Sequence, residues 1–223
     1  MNYTLAFIAG KVRNRIRDTS FSSSETIDYI NDTLNDVYNE YRLPFMEATQ
    51  DYTLTANVSD ITNGSGLPDN FVQAIDLLLT APGLEKVLAY RDVREIDALH
   101  PDNDDATAHA ANIPNEWFNY AETIRVHPLP NDTYTVTLRY YKKPTLLDSD
   151  ADIPELPSEF EELLVVGAAY RIMQVKDNYD QAGILQNKYD ELLQKLVSKY
   201  SQKQVGRPTI MRTNRNGLGK AHF

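Results

Sequence analysis

Asp148, Asp150, Asp152 and Glu159 stand at positions one, three, five and twelve of an EF-hand calcium loop, a spacing that would surround a hard cation with carboxylate oxygens. The intervening residues argue against that use. Ile153 takes position six, where the sharp turn needs glycine, Pro154 and Pro157 stiffen the chain, and a strand pattern precedes the loop where a helix belongs. An acidic linker whose Glu159 falls in a helix first turn, where the dipole favours a carboxylate, accounts for the same residues. The histidines, His100, His109, His127 and His222, form no i, i+4 pair, and H-E-x-x-H is absent. Gly217-Leu218-Gly219-Lys220 has the ending of a phosphate-binding loop, but Asn214 replaces its first glycine and Ala221 the hydroxyl that would meet magnesium. Gly64-Ser65-Gly66 lacks the five-residue pattern of a nucleophile elbow. With no cysteine in the chain, thiolate metal sites, disulfides and cysteine nucleophiles are excluded. The sequence thus offers no catalytic, cofactor or metal residues, and the protein reads as a non-enzyme. A hydrolase with a dispersed Asp-His-Ser site is the weakest alternative, since such sites are defined by geometry.

Aromatic residues suggest a different chemistry. Trp117, Phe118, Tyr120, Tyr134, Tyr140 and Tyr141 fall on neighbouring strand candidates and could stack bases or sugars, which makes a ligand- or carbohydrate-binding module the second reading. A small β core with cross-strand pairs explains most of them equally well, and the acidic surroundings favour it.

Charge is distributed unevenly over the 223 residues. The formal net charge is −10, yet residues 1–17 carry Lys11, Arg13, Arg15 and Arg17 and no acid, and residues 201–223 carry Lys203, Arg207, Arg212, Arg215 and Lys220 and no acid. The other thirteen basic residues face all thirty-two acidic ones, so the stretch between the ends stands at −19. An acidic body repels phosphate and disfavours general nucleic-acid binding, whereas the two basic ends are candidates for separate contacts. No run approaches the roughly 18 apolar residues of a membrane span, and no leader pattern opens the chain. The expectation is a protein made in the cytoplasm without a targeting segment or membrane partner.

These residues must be positioned by elements of two kinds. Leu5, Ile8, Val12 and Ile16 predict a helix over 3–17, and Ser22 three residues before Glu25 is a capping-box pattern opening a helix over 24–41 with Ile27, Ile30, Leu34, Val37 and Tyr38 in period. From 45 to 145 the texture becomes β-branched and aromatic, with strands expected at 50–56, 71–80, 84–90, 116–120, 123–127 and 133–142, a short helix from Asp92 to Leu99, and a polar loop over 100–112. The last strand alternates cleanly, Tyr134, Val136, Leu138 and Tyr140 facing one way. Helical period returns after Pro157 with Phe160, Leu163, Leu164, Gly167, Ala168, Arg171, Ile172 and Val175, weakens at Asn178 to Gly183, and resumes through Leu185, Tyr189, Leu192, Leu193, Leu196 and Tyr200. One kinked helix and two separate helices fit equally. Buried positions are expected at Leu34, Val37, Leu164, Ala168 and Ile172. The fold class is α+β: residues 1–43 and 148–200 make one helical bundle, 44–147 a small antiparallel β domain inserted between them, and 201–223 an extended basic tail.

Several of these segments resemble the head-to-tail adaptor, or connector, proteins of tailed bacteriophages. The likeness is carried by Leu67-Pro68-Asp69-Asn70-Phe71, by Pro114-Asn115-Glu116-Trp117-Phe118, and above all by the run I-R-V-H-P-L-P-N-D-T-Y-T-V-T-L-R-Y-Y-K-K-P from Ile124 to Pro144. An acidic stretch follows, then Ile153-Pro154-Glu155-Leu156-Pro157-Ser158-Glu159-Phe160 and the helix with Gly167-Ala168-Ala169-Tyr170. The resemblance implies a structural virion protein at the head-tail junction, a ring of twelve copies under the portal that joins portal to tail or nozzle protein and continues the DNA channel. DNA would pass without specific binding. Within that frame the tail is the expected portal contact, through Lys203, Arg207, Arg212 and Arg215 on carboxylates and Pro208, Ile210, Met211 and Leu218 in apolar pockets, with Lys11, Arg13, Arg15 and Arg17 as a secondary basic face.

Overall fold

A computed structural model describes residues 3–17, 21–99 and 111–201. Helix α1 (Leu5–Ile16) buries Leu5, Ile8, Ala9, Val12 and Ile16 along one stripe. Helix α2 (Ser23–Glu40) starts where the capping box predicts: the Ser22 hydroxyl accepts the Glu25 N–H, while the Glu25 carboxylate accepts the Ser22 N–H. A turn of 3₁₀ helix, Pro44–Met46, leads into β1 (Glu47–Leu54).

The β region holds two sheets. Strands β2 (Phe71–Ala81), β3 (Leu84–Val87) and β7 (Tyr134–Lys142) join β1 in the order β1-β7-β2-β3, all antiparallel. Strands β4 (Ala89–Tyr90), β5 (Glu116–Tyr120) and β6 (Thr123–His127) form the second sheet. The single strand expected over 84–90 is two strands. Leu88 is buried between them with its N–H on the Leu77 carbonyl, and the chain crosses from one sheet to the other at that residue. Strand β4 pairs with β5 in parallel, so among the described residues the β region is antiparallel except for that two-residue contact and an isolated parallel bridge between Asn112 and Pro130. Pro82-Gly83 makes the two-residue β2–β3 turn, with Gly83 at φ +77°. Ala121 and Glu122 close β5–β6 at φ 48° and 62°, left-handed values that side chains tolerate poorly and that no glycine signals in the sequence. Helix α3 (Val93–Leu99) lies between the β4 and β5 strands in sequence. Most of the 100–112 loop, residues 100–110, falls outside the described residues.

After a 3₁₀ turn at Ser158–Phe160, helices α4 (Glu161–Val175) and α5 (Tyr179–Ser201) are separate. Asp177 at φ 56° reverses the chain between them, and the weak point expected at Asn178 to Gly183 begins two residues early. Gly183 lies inside α5. Val175, expected on the buried face, is 61% exposed at the last residue of α4.

Two apolar clusters result. The first unites Leu5, Ile8, Val12, Leu34, Val37, Leu164, Ala168, Ile172 and Leu196, so α1, α2, α4 and α5 share one core although α2 and α4 are separated by the whole β region. The second joins Leu54, Leu77, Leu79, Trp117, Ile124, Val126, Tyr134, Val136, Leu138 and Tyr140 from both sheets. At Gly167 the helices approach so closely that an added Cβ would overlap the Thr33 methyl and stand 3.0 Å from the Tyr189 ring.

Candidate functional site

The acidic linker is built into the helical core. The first N–H groups of α1, which receive no side-chain cap from Thr4, donate to linker carbonyls: Leu5 to Asp152 at 2.8 Å and Ala6 to Asp150 at 3.2 Å. Asn31 of α2 holds Leu147 in both directions, accepting its N–H and donating to its carbonyl at 2.9 Å each. The Asp152 carboxylate accepts the N–H groups of Asp148 and Ser149 at 2.9 Å, bonds that hold its pKa below the usual aspartate range. Glu159 turns away from them to meet Lys199 and the Tyr200 hydroxyl on α5. The four carboxylates of the EF-hand spacing therefore do not converge, and among the described residues no group of three His, Cys, Asp or Glu could hold a metal ion.

The basic residues of α1 are engaged within the chain. Lys11 pairs with Glu161 and Arg15 with Glu162 at 2.6 Å, while Arg13 donates to the Ser23 hydroxyl. Glu162 also accepts Lys188 at 2.8 Å. Partial burial pushes the Glu162 pKa up, but the hydrogen bonds from Lys188 and Arg15 outweigh it and leave the group below its ordinary value. One carboxylate thus ties α1 and α5 to α4. Arg17, exposed at the left-handed C-cap of α1, is the cation of this set with no side-chain partner among the described residues.

At the other end the tail leaves from a fixed root. Tyr200 packs edge-on against Phe45 with ring centroids 5.4 Å apart and lies 6.3 Å from Phe160, and the adjacent Lys199 is paired to Glu159. The tail residues Lys203, Arg207, Pro208, Ile210, Met211, Arg212, Arg215 and Leu218 lie outside the described residues.

Two features that periodicity did not reveal lie on the helical surface. Val175, Tyr179 and Ile184 are all more than 60% exposed at the α4–α5 turn, an apolar edge left uncovered among the described residues. An open groove of about 630 Å³ runs between α2, α4 and α5, lined by Asp36, Glu40, Tyr41, Tyr170, Tyr189 and Asp190 among others. Burial raises the pKa of all three tyrosines, which stay neutral phenols. On its wall Arg171 donates to Asp36 and to the Thr33 hydroxyl and lies 4.7 Å over the Tyr170 ring. The acids of this groove come from helices far apart in sequence, so no local pattern announces them.

The aromatic stacking surface is mostly core. Of its six residues Trp117, Phe118, Tyr134 and Tyr140 are buried and Tyr141 is half-buried against the helical cluster, leaving Tyr120 exposed, while Tyr90 on the neighbouring edge strand β4 is exposed as well. A cleft of about 380 Å³ beside Tyr90 and Trp117 is lined by Gln73, Ala74, Ile75 and Asn119.

Among the described residues no helix is long and apolar enough to cross a membrane. No curated protein matches the chain significantly. A family model described as SU10 adaptor protein matches residues 1–215, which spans both helical segments, both sheets and most of the basic tail. The chain belongs to the SU10 adaptor protein family, structural adaptors of phage virions.

Proposed function

We propose that the protein forms a ring, of twelve copies, below the portal of the filled capsid, where it joins the portal to the tail or nozzle protein and continues the DNA channel. The observation that carries this reading is the family match over residues 1–215, which includes every described element. Three features support it. The helical core welded by the Glu162 ion pairs gives a rigid protomer, the exposed Val175, Tyr179 and Ile184 offer a side-facing contact, and the acidic body lets DNA pass without adhering. In this reading residues 1–43 and 148–200 act as one body, 44–147 as an inserted domain and 201–223 as a tail.

The tail is the proposed portal contact. Its five cations and lack of acids need a partner to order them, since fixing each residue costs roughly 1–2 kcal/mol of backbone entropy. The rival basic face is weaker because Lys11 and Arg15 already pair with α4. Truncation after Tyr200 should abolish docking on portal-bearing capsids, seen by electron microscopy, with the circular dichroism of the body unchanged. Docking as efficient as that of the full chain would move the contact to Arg17 and its neighbours. The isolated protein should sediment largely as a monomer and close into rings on the portal, because like charges crowded into a ring oppose spontaneous closure.

A further inference from the structure

In the β1–β2 connection Asn63-Gly64 forms a tip that is clamped at its base and free at its end. The Asp60 carboxylate accepts the Thr62 N–H and the Thr62 hydroxyl, each at 2.9 Å. The Thr62 carbonyl accepts the Ser65 N–H at 2.9 Å and the Ser65 hydroxyl at 2.6 Å. Between these clamps Asn63 and Gly64 are exposed, at φ 49° and 81°. The Asn63 side-chain amide and the Gly64 N–H have no hydrogen-bond partner among the described residues. Nothing lies within 4 Å of where a Gly64 Cβ would stand, so the flank of its nitrogen is open. Other asparagines are tied down. The Asn70 and Asn131 side-chain oxygens accept the Tyr140 and Tyr134 hydroxyls, and those of Asn112 and Asn178 accept backbone N–H groups. Asn57 is left-handed as well, at φ 61°, but the residue after it is Val58, whose branched side chain crowds its own nitrogen.

We propose that Asn63 is a site of spontaneous deamidation, through a cyclic imide formed with the Gly64 nitrogen. The step needs no co-reactant but water. The Gly64 nitrogen gives up its proton and bonds to the Asn63 Cγ, while the side-chain nitrogen leaves, with a proton, as ammonia. Glycine favours this because no side chain shields the attacking nitrogen, and the rate rises with pH because the unionised amide is a weak nucleophile. Water then opens the ring at either carbonyl. Cleavage of the new bond leaves aspartate, and cleavage of the original peptide bond leaves isoaspartate, whose main chain runs through Cβ and Cγ. Either product places a new carboxylate at the tip. Isoaspartate also lengthens the main chain inside the clamp between Thr62 and Ser65. That clamp is joined to the β core: Thr62 is 5% exposed, Ile61 is fully buried, the Ile61 N–H meets the Ile124 carbonyl, and the Val126 N–H meets the Ser59 carbonyl. The modification therefore acts on the β region.

Ageing the folded full chain at mildly alkaline pH tests this. Trypsin releases residues 43–86 as one peptide, in which fragmentation by mass spectrometry separates Asn63 from Asn57 and Asn70. The reference is a synthetic peptide of residues 58–68 aged alongside. Deamidation at Asn63 should run within about tenfold of the peptide, because an exposed tip with neither reacting group bonded opens for less than about 1.4 kcal/mol. A greater slowing in the folded chain, or modification at Asn63 no faster than at Asn57 and Asn70, would overturn the proposal. Asn63→Gly suits the left-handed backbone, keeps the fold by circular dichroism and should abolish the signal; an undiminished mass gain in its 43–86 peptide would also overturn the assignment. The isoaspartate form, separated by ion exchange and identified with an isoaspartyl methyltransferase, should show its Trp117 transition at lower denaturant than unaged protein. An unchanged midpoint would overturn the proposed effect on the β region.

Discussion

The helical body and the β region bury comparable apolar clusters, yet they are assembled from the sequence in opposite ways. The β core draws on one continuous stretch from Leu54 to Tyr140, whereas the helical core joins Leu5 and Leu34 to Leu164 and Leu196 across that whole stretch. The two also differ in what fixes them. The β region relies on backbone ladders and alternation, while the helical body adds specific polar ties: Asn31 on Leu147, the α1 N-terminus on Asp150 and Asp152, and Arg15 and Lys188 on Glu162. A contiguous core can form without the chain ends; a core made of chain ends needs long-range closure and gains most from such ties. Trp117, the one tryptophan, sits in the β core and reports on that region alone.

The strongest way to break the comparison is Leu164→Asp. An unpaired carboxylate at this fully buried position should cost roughly 4 kcal/mol or more and remove most of the helical circular dichroism. If the two regions are independent, Trp117 emission stays blue-shifted; a simultaneous red shift would show one cooperative unit. The converse change, Leu138→Ala, opens a cavity in the β core and should cost about 3 kcal/mol, moving the Trp117 transition to lower denaturant while the helical transition holds.

Gly167→Ala should destabilise the helical body by about 1–2 kcal/mol, overlap with Thr33 outweighing the gain in helix propensity of up to about 1 kcal/mol. Adding Thr33→Ser removes the offending methyl, keeps the hydroxyl that accepts from Arg171, and should restore part of the loss in thermal denaturation. In the β region Glu122→Gly relieves a left-handed residue in the β5–β6 turn and should stabilise by about 0.5–1 kcal/mol, read from the Trp117 transition.

The smallest effect is in acid. Glu162 and Asp152 both have folded pKa values below their unfolded ones, so each contributes stability that is present above the unfolded value and is lost as pH falls through the folded value. Denaturation midpoints of the helical body should decline from about pH 5 downward. Glu162→Gln should flatten that decline, and the Trp117 transition should show no such dependence on Glu162.

Much of this was legible in the chain. The capping box at Ser22 and Glu25 fixed the start of α2, and the alternation of Tyr134, Val136, Leu138 and Tyr140 gave β7 its buried face, because both depend on neighbours within a few residues. The α+β order, the family likeness and the expected burial of Leu34, Val37, Leu164, Ala168 and Ile172 likewise followed from period and short motifs. Other features escaped. The split at Leu88, the left-handed Ala121-Glu122 turn and the exposure of Val175 depend on which sheet or helix comes alongside, and that information is not local.

The site residues divide on the same line. Sequence by itself set the charge plan, an acidic body between basic ends, since charge is a property of residue type alone. Tertiary structure decided which of those charges remain available. It neutralised Lys11 and Arg15 against Glu161 and Glu162, and drew Asp152 into a turn and Glu159 onto Lys199. It also left Glu40 and Asp190 facing a common groove with no ion pair of their own among the described residues. Whether a charge is free depends on what packs within a few ångströms of it, and for Lys11, Arg15 and Arg171 those neighbours come from helices more than a hundred residues away.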